Sequence, residues 1–129
     1  MQFIDLHTQY KRHEETIDKA VKRVLEDGHY IGGREVGELE STLAAFVGRR
    51  HAIACANGTD ALKIVLMAKG IGPGDAVFTT PFTFFATAEV VGNLGATPVF
   101  VDIDEKTYNI DPAKLDEAIG KVKKAGTLV

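Results

Sequence analysis

The spacing of apolar positions changes near residue 50. Before it, Ile17, Ala20, Val21, Val24 and Leu25 recur three and four apart, which predicts an amphipathic helix over roughly 9–27 that Gly28 can close. Val36, Leu39, Leu43, Phe46 and Val47 predict a second helix ending at Gly48, with Glu35, Glu38 and Glu40 toward its electropositive start. Tyr30-Ile31-Gly32-Gly33 between them reads as a loop. Beyond residue 50 the apolar runs are short. Ala52–Ala56 lacks alternation, the pattern of a strand buried on both faces, and would leave Cys55 inert inside it. Asn57-Gly58 then marks a sharp turn, with Thr59 or Asp60 as cap of a helix, Ala61–Ala68, that is apolar almost all round and therefore expected to be buried. Gly72-Pro73-Gly74-Asp75 is a tight connection into a strand, Ala76–Thr80, that stops at Pro81. A helix over about 83–94, a stop at Gly95 and a third strand, Pro98–Val101, follow. After the acidic turn Asp102–Glu105, Asp111 and Pro112 open a last helix, and Gly120–Val129 reads as a basic tail.

Alternating strands and helices with short links define an α/β class with a parallel sheet and helical crossovers. The division expected is a helical arm over 1–50 and an α/β domain over 51–129. Composition adds exclusions. With 129 residues, 45% apolar content, 26% charged content and a net charge of -3, the chain has an ordinary globular balance and no electrostatic footprint for nucleic acid or an anionic membrane. The lysines at 121, 123 and 124 read as the solvated face of the last helix. No signal peptide or membrane-length apolar run is evident, and a single cysteine allows no intrachain disulfide, so a cytoplasmic location is expected.

Two loops carry the candidate chemistry. In Ala56-Asn57-Gly58-Thr59-Asp60-Ala61-Leu62, a glycine at a strand-to-helix junction lets backbone approach an anion, and the free N–H groups of the first helical turn point at it with the Thr59 hydroxyl as a further donor. The residues alone leave two readings open, a phosphate cradle or a capped junction, and the Asp60 carboxylate would repel a phosphate unless it points elsewhere. The second loop, Pro81-Phe82-Thr83-Phe84-Phe85, follows a strand at the sheet edge where open parallel sheets bind ligands, and one of its rings could face a planar cofactor while the other two pack in the core. His7, His13, His29 and His51 show no metal-ligand spacing, so no metal is expected. Asp102 and Asp104 read as solvated turn carboxylates, and Lys63 as a side chain reaching out at a helix edge.

At these loops the sequence resembles the DegT/DnrJ family of pyridoxal-phosphate-dependent sugar-nucleotide aminotransferases, which adopt the aspartate-aminotransferase type I fold. The resemblance runs through Phe3-Ile4-Asp5-Leu6, Tyr30-Ile31-Gly32-Gly33, Asn57–Leu62, Gly72–Asp75, Phe82–Ala88, Gly95–Asp102 and Tyr108–Pro112. It implies that Gly58, Thr59 and Asp60 hold the cofactor phosphate and that Phe84 stacks on the pyridine ring. It implies a helical arm plus the first βαβαβ units of the large domain, within a homodimer that transfers an amino group, from glutamate, to a nucleotide-linked keto-sugar for polysaccharide or glycan precursors. It further implies that the pyridinium aspartate and Schiff-base lysine lie beyond Val129, so that the chain has no catalytic residue of its own and is inactive alone. A sugar dehydratase of the same family and a non-catalytic binding module are the alternatives.

Overall fold

The computed structural model describes residues 3–126. The chain divides after Ala54 into two compact units.

The first unit is helical. Helix α1, Leu6–Asp27, begins about three residues before the expected start near residue 9, because the Asp5 carboxylate accepts from the Thr8 N–H at 2.9 Å and caps the first turn. Gly28 ends it in the left-handed region, φ 70°. Helix α2, Arg34–Phe46, starts at Gly33, where a Cβ would fall 2.6 Å from the His29 carbonyl oxygen, so only glycine fits the turn. Arg23 of α1 donates to Glu35 of α2 at 2.9 Å.

The second unit contains one βαβ crossover. Helix α3, Gly58–Ala68, leads through Gly72–Asp75 into strand β1, Ala76–Thr79; helix α4, Ala86–Asn93, then crosses to strand β2, Thr97–Phe100. The Gly72–Asp75 turn is closed twice, by Asp75 N–H to the Gly72 carbonyl at 3.1 Å and by Gly72 N–H to the Asp75 carboxylate at 2.9 Å. The strands pair in parallel, Ala76 opposite Thr97 and Thr79 opposite Phe100. Val90, Val91 and Ala96 form the core, with Leu66, Ile71 and Val77 packed against it. Helix α5, Pro112–Ala125, is capped by Asp111, whose carboxylate accepts from the Ala113 N–H at 2.8 Å with Pro112 in the first turn.

Several expectations are corrected. Ala52–Ala56 is not a strand: a strand persists only where a neighbour takes its hydrogen bonds, and none pairs with it among the described residues. The Ala54 N–H donates instead to the Glu40 carboxylate at 2.7 Å, Ile53 is 80% exposed, and the Cys55 thiol is exposed rather than buried. Helix α3 has no fully buried residue, because among its large apolar side chains only Leu66 packs against the core, while Leu62, Ile64, Val65 and Met67 stay exposed. Gly120 does not end the last helix, which runs to Ala125; the Glu117–Lys121 pair at 2.7 Å spans the glycine, and Gly126 at φ 64° makes the stop. The rest of the expected basic tail lies outside the described residues. Lys121, Lys123 and Lys124 are exposed on α5.

Candidate functional site

The site lies at one edge of the second unit. Parallel pairing sends the C-terminal ends of β1 and β2 to the same side, so the loops that follow them, 80–85 and 101–111, leave from a common edge. Helix α4 returns from that edge, which puts its N-terminus there. Leu66, near the end of α3, packs with Val91 and Ala96 at the far end of α4, so α3 runs alongside α4 and its N-terminus also faces the edge carrying the loops. Between them, Leu62 and Val65 of α3, Val77 and Thr79 of β1, and Thr87 and Val90 of α4 line an apolar cavity of about 240 Å³.

The start of α3 is arranged around Asn57. Its side-chain oxygen accepts from the Asp60 N–H at 2.9 Å, and its amide nitrogen donates to the Asp60 carboxylate at 3.0 Å. The cap expected at Thr59 or Asp60 therefore falls earlier, at Asn57, whose side chain both accepts from the Asp60 N–H and donates to the Asp60 carboxylate. This geometry holds the Asp60 carboxylate against its own cap. It also commits the Asp60 N–H, leaving the Gly58 and Thr59 N–H groups and the Thr59 hydroxyl without protein partners among the described residues. These donors sit at the electropositive end of an 11-residue helix.

Gly58 gives the test of fit for a bound phosphate. Its φ is not positive, and a Cβ built on it would meet nothing within 4 Å. Neither backbone strain nor the chain's own packing demands glycine at this first helical position, as is also true of Gly37, Gly92 and Gly120 in the other helices. Without a side chain, Gly58 leaves the backbone of the first turn open to close approach by an anion. The donor set is neutral-to-positive and suits an anion, so the residues fit the phosphate that the resemblance implies.

The aromatic loop departs from expectation. Phe82, Phe84 and Phe85 are 64%, 78% and 76% exposed, so none packs in the core. Helix α4 begins at Ala86 and not near 83, which leaves Phe84 and Phe85 on the turn before it, closed by Thr87 N–H to the Phe84 carbonyl at 3.1 Å. Phe82 donates its N–H to the Thr80 hydroxyl at 3.1 Å, and its ring centroid lies 5.5 Å from that of Tyr108. Phe84 thus presents an open face at the edge to which the start of α3 also points. Asp102 and Asp104 are not merely solvated. Asp102 pairs with Lys114 at 2.9 Å, and that ammonium, with the Ile103 N–H, holds its carboxyl below the usual range. The Asp104 carboxyl is held low chiefly by the Thr107 N–H at 2.8 Å, then by the Thr107 hydroxyl and the Lys106 N–H.

Sequence reasoning missed two residues here, Asn57 and Tyr108. Asn57 was legible, since asparagine just ahead of an apolar run is a preferred helix cap. Among the described residues no three His, Cys, Asp or Glu side chains gather as a metal site, and no helix is long and apolar enough to cross a membrane.

Known proteins resemble the chain in sequence and in fold. The chain is 57% identical over 125 residues to the UDP-2-acetamido-2-deoxy-3-oxo-D-glucuronate aminotransferase of Pseudomonas aeruginosa, a match covering 97% of the chain and 35% of that enzyme. It superposes on a DegT DnrJ EryC1 StrS aminotransferase from Brucella abortus with a TM-score of 0.95 at 52% identity, covering 99% of the chain and 34% of that structure. The NtdA structure from Bacillus subtilis with bound cofactor PMP matches with a TM-score of 0.79 at 36% identity, covering 83% of the chain and 25% of NtdA. The chain spans about a third of the length of the curated relatives it matches. Its α/β architecture is the corresponding part of the type I aminotransferase fold, as expected. Residues 11–129 match the DegT/DnrJ/EryC1/StrS aminotransferase family, and the chain belongs to that family.

Proposed function

We propose that this chain supplies the phosphate-anchoring and ring-stacking part of a pyridoxal-phosphate site in an aminotransferase acting on nucleotide-linked keto-sugars. The observation that carries the reading is the start of α3, where the Gly58 and Thr59 N–H groups and the Thr59 hydroxyl have no protein partner among the described residues and no side chain at Gly58 blocks approach to them. When bound, the cofactor supplies an electron sink for the carbon beside the transferred nitrogen. The chain's residues bind and orient. The Gly58 and Thr59 N–H groups and the Thr59 hydroxyl hold the phosphate, and Phe84 offers its exposed face to the pyridine ring. Asp60 acts through Asn57, keeping its charge off the phosphate while fixing the first turn.

The substrate class follows from the relatives, among them the Pseudomonas aeruginosa enzyme and a dTDP-3-amino-3,6-dideoxy-alpha-D-galactopyranose transaminase of Aneurinibacillus thermoaerophilus. On this reading the amino donor is glutamate, the working assembly is a homodimer in the cytoplasm, and the product enters polysaccharide or glycan precursors. Residues 1–50 serve as a helical segment that precedes, along the chain, a cofactor-binding domain from residue 51. No lysine of the chain becomes covalently attached to the cofactor, so the chain is inactive alone and borohydride reduction with pyridoxal phosphate labels no defined lysine.

The binding reading is tested with 4′-deoxypyridoxine 5′-phosphate, which keeps ring and phosphate but has no aldehyde to react with lysine. Gly58→Val should abolish its binding by blocking backbone approach, with little change in stability because the new side chain meets open space. Unchanged affinity in Gly58→Val would sink the cradle.

A further inference from the structure

Tyr108 is the only non-glycine residue with positive φ among the described residues, at 59°. A left-handed backbone is strained for an aromatic residue, and such strain persists only where the surroundings over-determine it. Here they do. The loop from Asp102 to Asp111 is closed by the Ile103–Ile110 bridge, by Asp111 N–H to the Asp102 carbonyl at 3.1 Å, and by Asp104 N–H to the Asn109 carbonyl at 2.9 Å. Inside it the Asp104 carboxylate accepts from the Lys106 and Thr107 N–H groups, and the Tyr108 N–H donates to the Asp104 carbonyl at 2.9 Å. Lys114 ties the base, donating to the Asp102 carboxylate at 2.9 Å and to the Ile103 carbonyl at 3.5 Å. This bracket aims one side chain outward, and its ring meets Phe82 at 5.5 Å and 36°.

Neither ring is buried, so the contact does not serve a core. Its effect is local. Phe82 stands two residues from Phe84 on a loop whose rings have no other aromatic contact among the described residues. We propose that Tyr108 is a positioning residue for cofactor recognition, its left-handed backbone holding its ring against Phe82 so that the Pro81–Phe85 loop presents Phe84 in a fixed pose. The inference rests on the reading of Phe84 as the surface for a pyridine ring, and it adds a residue from outside that loop. It assigns the 102–111 bracket a task, since an ordinary turn would join β2 to α5 without a strained tyrosine.

The test separates ring recognition from phosphate binding and from stability. Asparagine tolerates positive φ, so Tyr108→Asn keeps the bracket and removes only the ring. Tyr108→Phe keeps the ring and loses the hydroxyl. Affinities for 4′-deoxypyridoxine 5′-phosphate and for inorganic phosphate are measured on wild type and both variants, with thermal unfolding beside them. Tyr108→Asn should bind the ring compound roughly 2- to 10-fold more weakly, the range spanned by an aromatic pair, with inorganic phosphate binding and the unfolding midpoint little changed. Tyr108→Phe should match wild type throughout. Wild-type affinity for the ring compound in Tyr108→Asn overturns the inference, and so does an equal loss of inorganic phosphate, which would mark general damage to the edge. If wild type itself binds the ring compound no better than inorganic phosphate, the Phe84 reading fails first and takes the inference with it.

Discussion

Replacing Asn57 separates the two things it does at the start of α3. Its oxygen caps the helix through the Asp60 N–H at 2.9 Å, and its amide holds the Asp60 carboxylate at 3.0 Å. Asn57→Ala removes both, and the lost cap costs about 1 kcal/mol. In a unit of this size that lowers the unfolding midpoint by about 4–8 °C. Asn57→Asp behaves differently. Aspartate caps as well as asparagine, so stability should hold close to wild type. It has no amide to restrain Asp60, however, and it brings a second carboxylate to the turn where Gly58 and Thr59 would hold a phosphate. A unit charge roughly 4–5 Å from an anion in a wet, half-exposed site costs about 1–3 kcal/mol, or a roughly 5- to 150-fold loss of affinity. Calorimetric titration with inorganic phosphate and with 4′-deoxypyridoxine 5′-phosphate, beside urea unfolding of each variant, reads both effects. The order expected for stability is wild type, Asn57→Asp, Asn57→Ala; for affinity Asn57→Asp falls last. Wild-type phosphate affinity in Asn57→Asp would refute the reasoning, since no anion could then sit at this helix start.

Other outcomes follow from the same geometry. Thr59→Ala should weaken phosphate binding by about 1.5–3 kcal/mol, the value of a hydrogen bond to a charged group, with stability unchanged because the hydroxyl has no protein partner among the described residues; calorimetric titration checks it. Phe85→Ala should move the urea midpoint little, since a ring that is 76% exposed leaves no core cavity behind. Gly33→Ala should destabilise α2 measurably in circular-dichroism melts, because its Cβ would fall 2.6 Å from the His29 carbonyl oxygen. The 102–111 bracket should loosen in acid. Hydrogen bonds hold the Asp104 carboxyl below its ordinary 3.8, so its contribution is complete above that pH and is lost as the pH falls through the lowered value. Asp102, bonded to Lys114, acts in the same direction, and the Lys106 and Thr107 amides should be the first to lose protection relative to their intrinsic exchange rates at each pH.

Helices were legible wherever amphipathic spacing and a stop residue coincide: Gly28 closes α1, and Asp111 with Pro112 opens α5 where sequence places them. Strands were legible where a partner exists within the chain. Ala76–Thr79 and Thr97–Phe100 satisfy each other's backbone, whereas Ala52–Ala56 has the composition of a buried strand and no neighbour among the described residues to make it one. The same gap explains α3 and the phenylalanines. Apolar composition states what a residue would gain by burial, and Ile64, Met67 and Phe85 have nothing here to bury against. At the site, glycine beside threonine at a helix start was enough to suggest an anion cradle. The orientation of Asp60 was not, because a carboxylate's direction depends on which neighbour donates to it, and the strain at Tyr108 depends on contacts closed across ten residues.

The central claim, that the start of α3 and Phe84 together hold a phosphorylated pyridine ring, is tested most directly by nuclear magnetic resonance. Titration of isotope-labelled protein with 4′-deoxypyridoxine 5′-phosphate should move the Gly58 and Thr59 amide signals most and shift the Phe84 ring protons through stacking. Inorganic phosphate should move the two amides alone. Binding that leaves Gly58 and Thr59 unmoved, or perturbs a different edge of the protein, would contradict the assignment of this site.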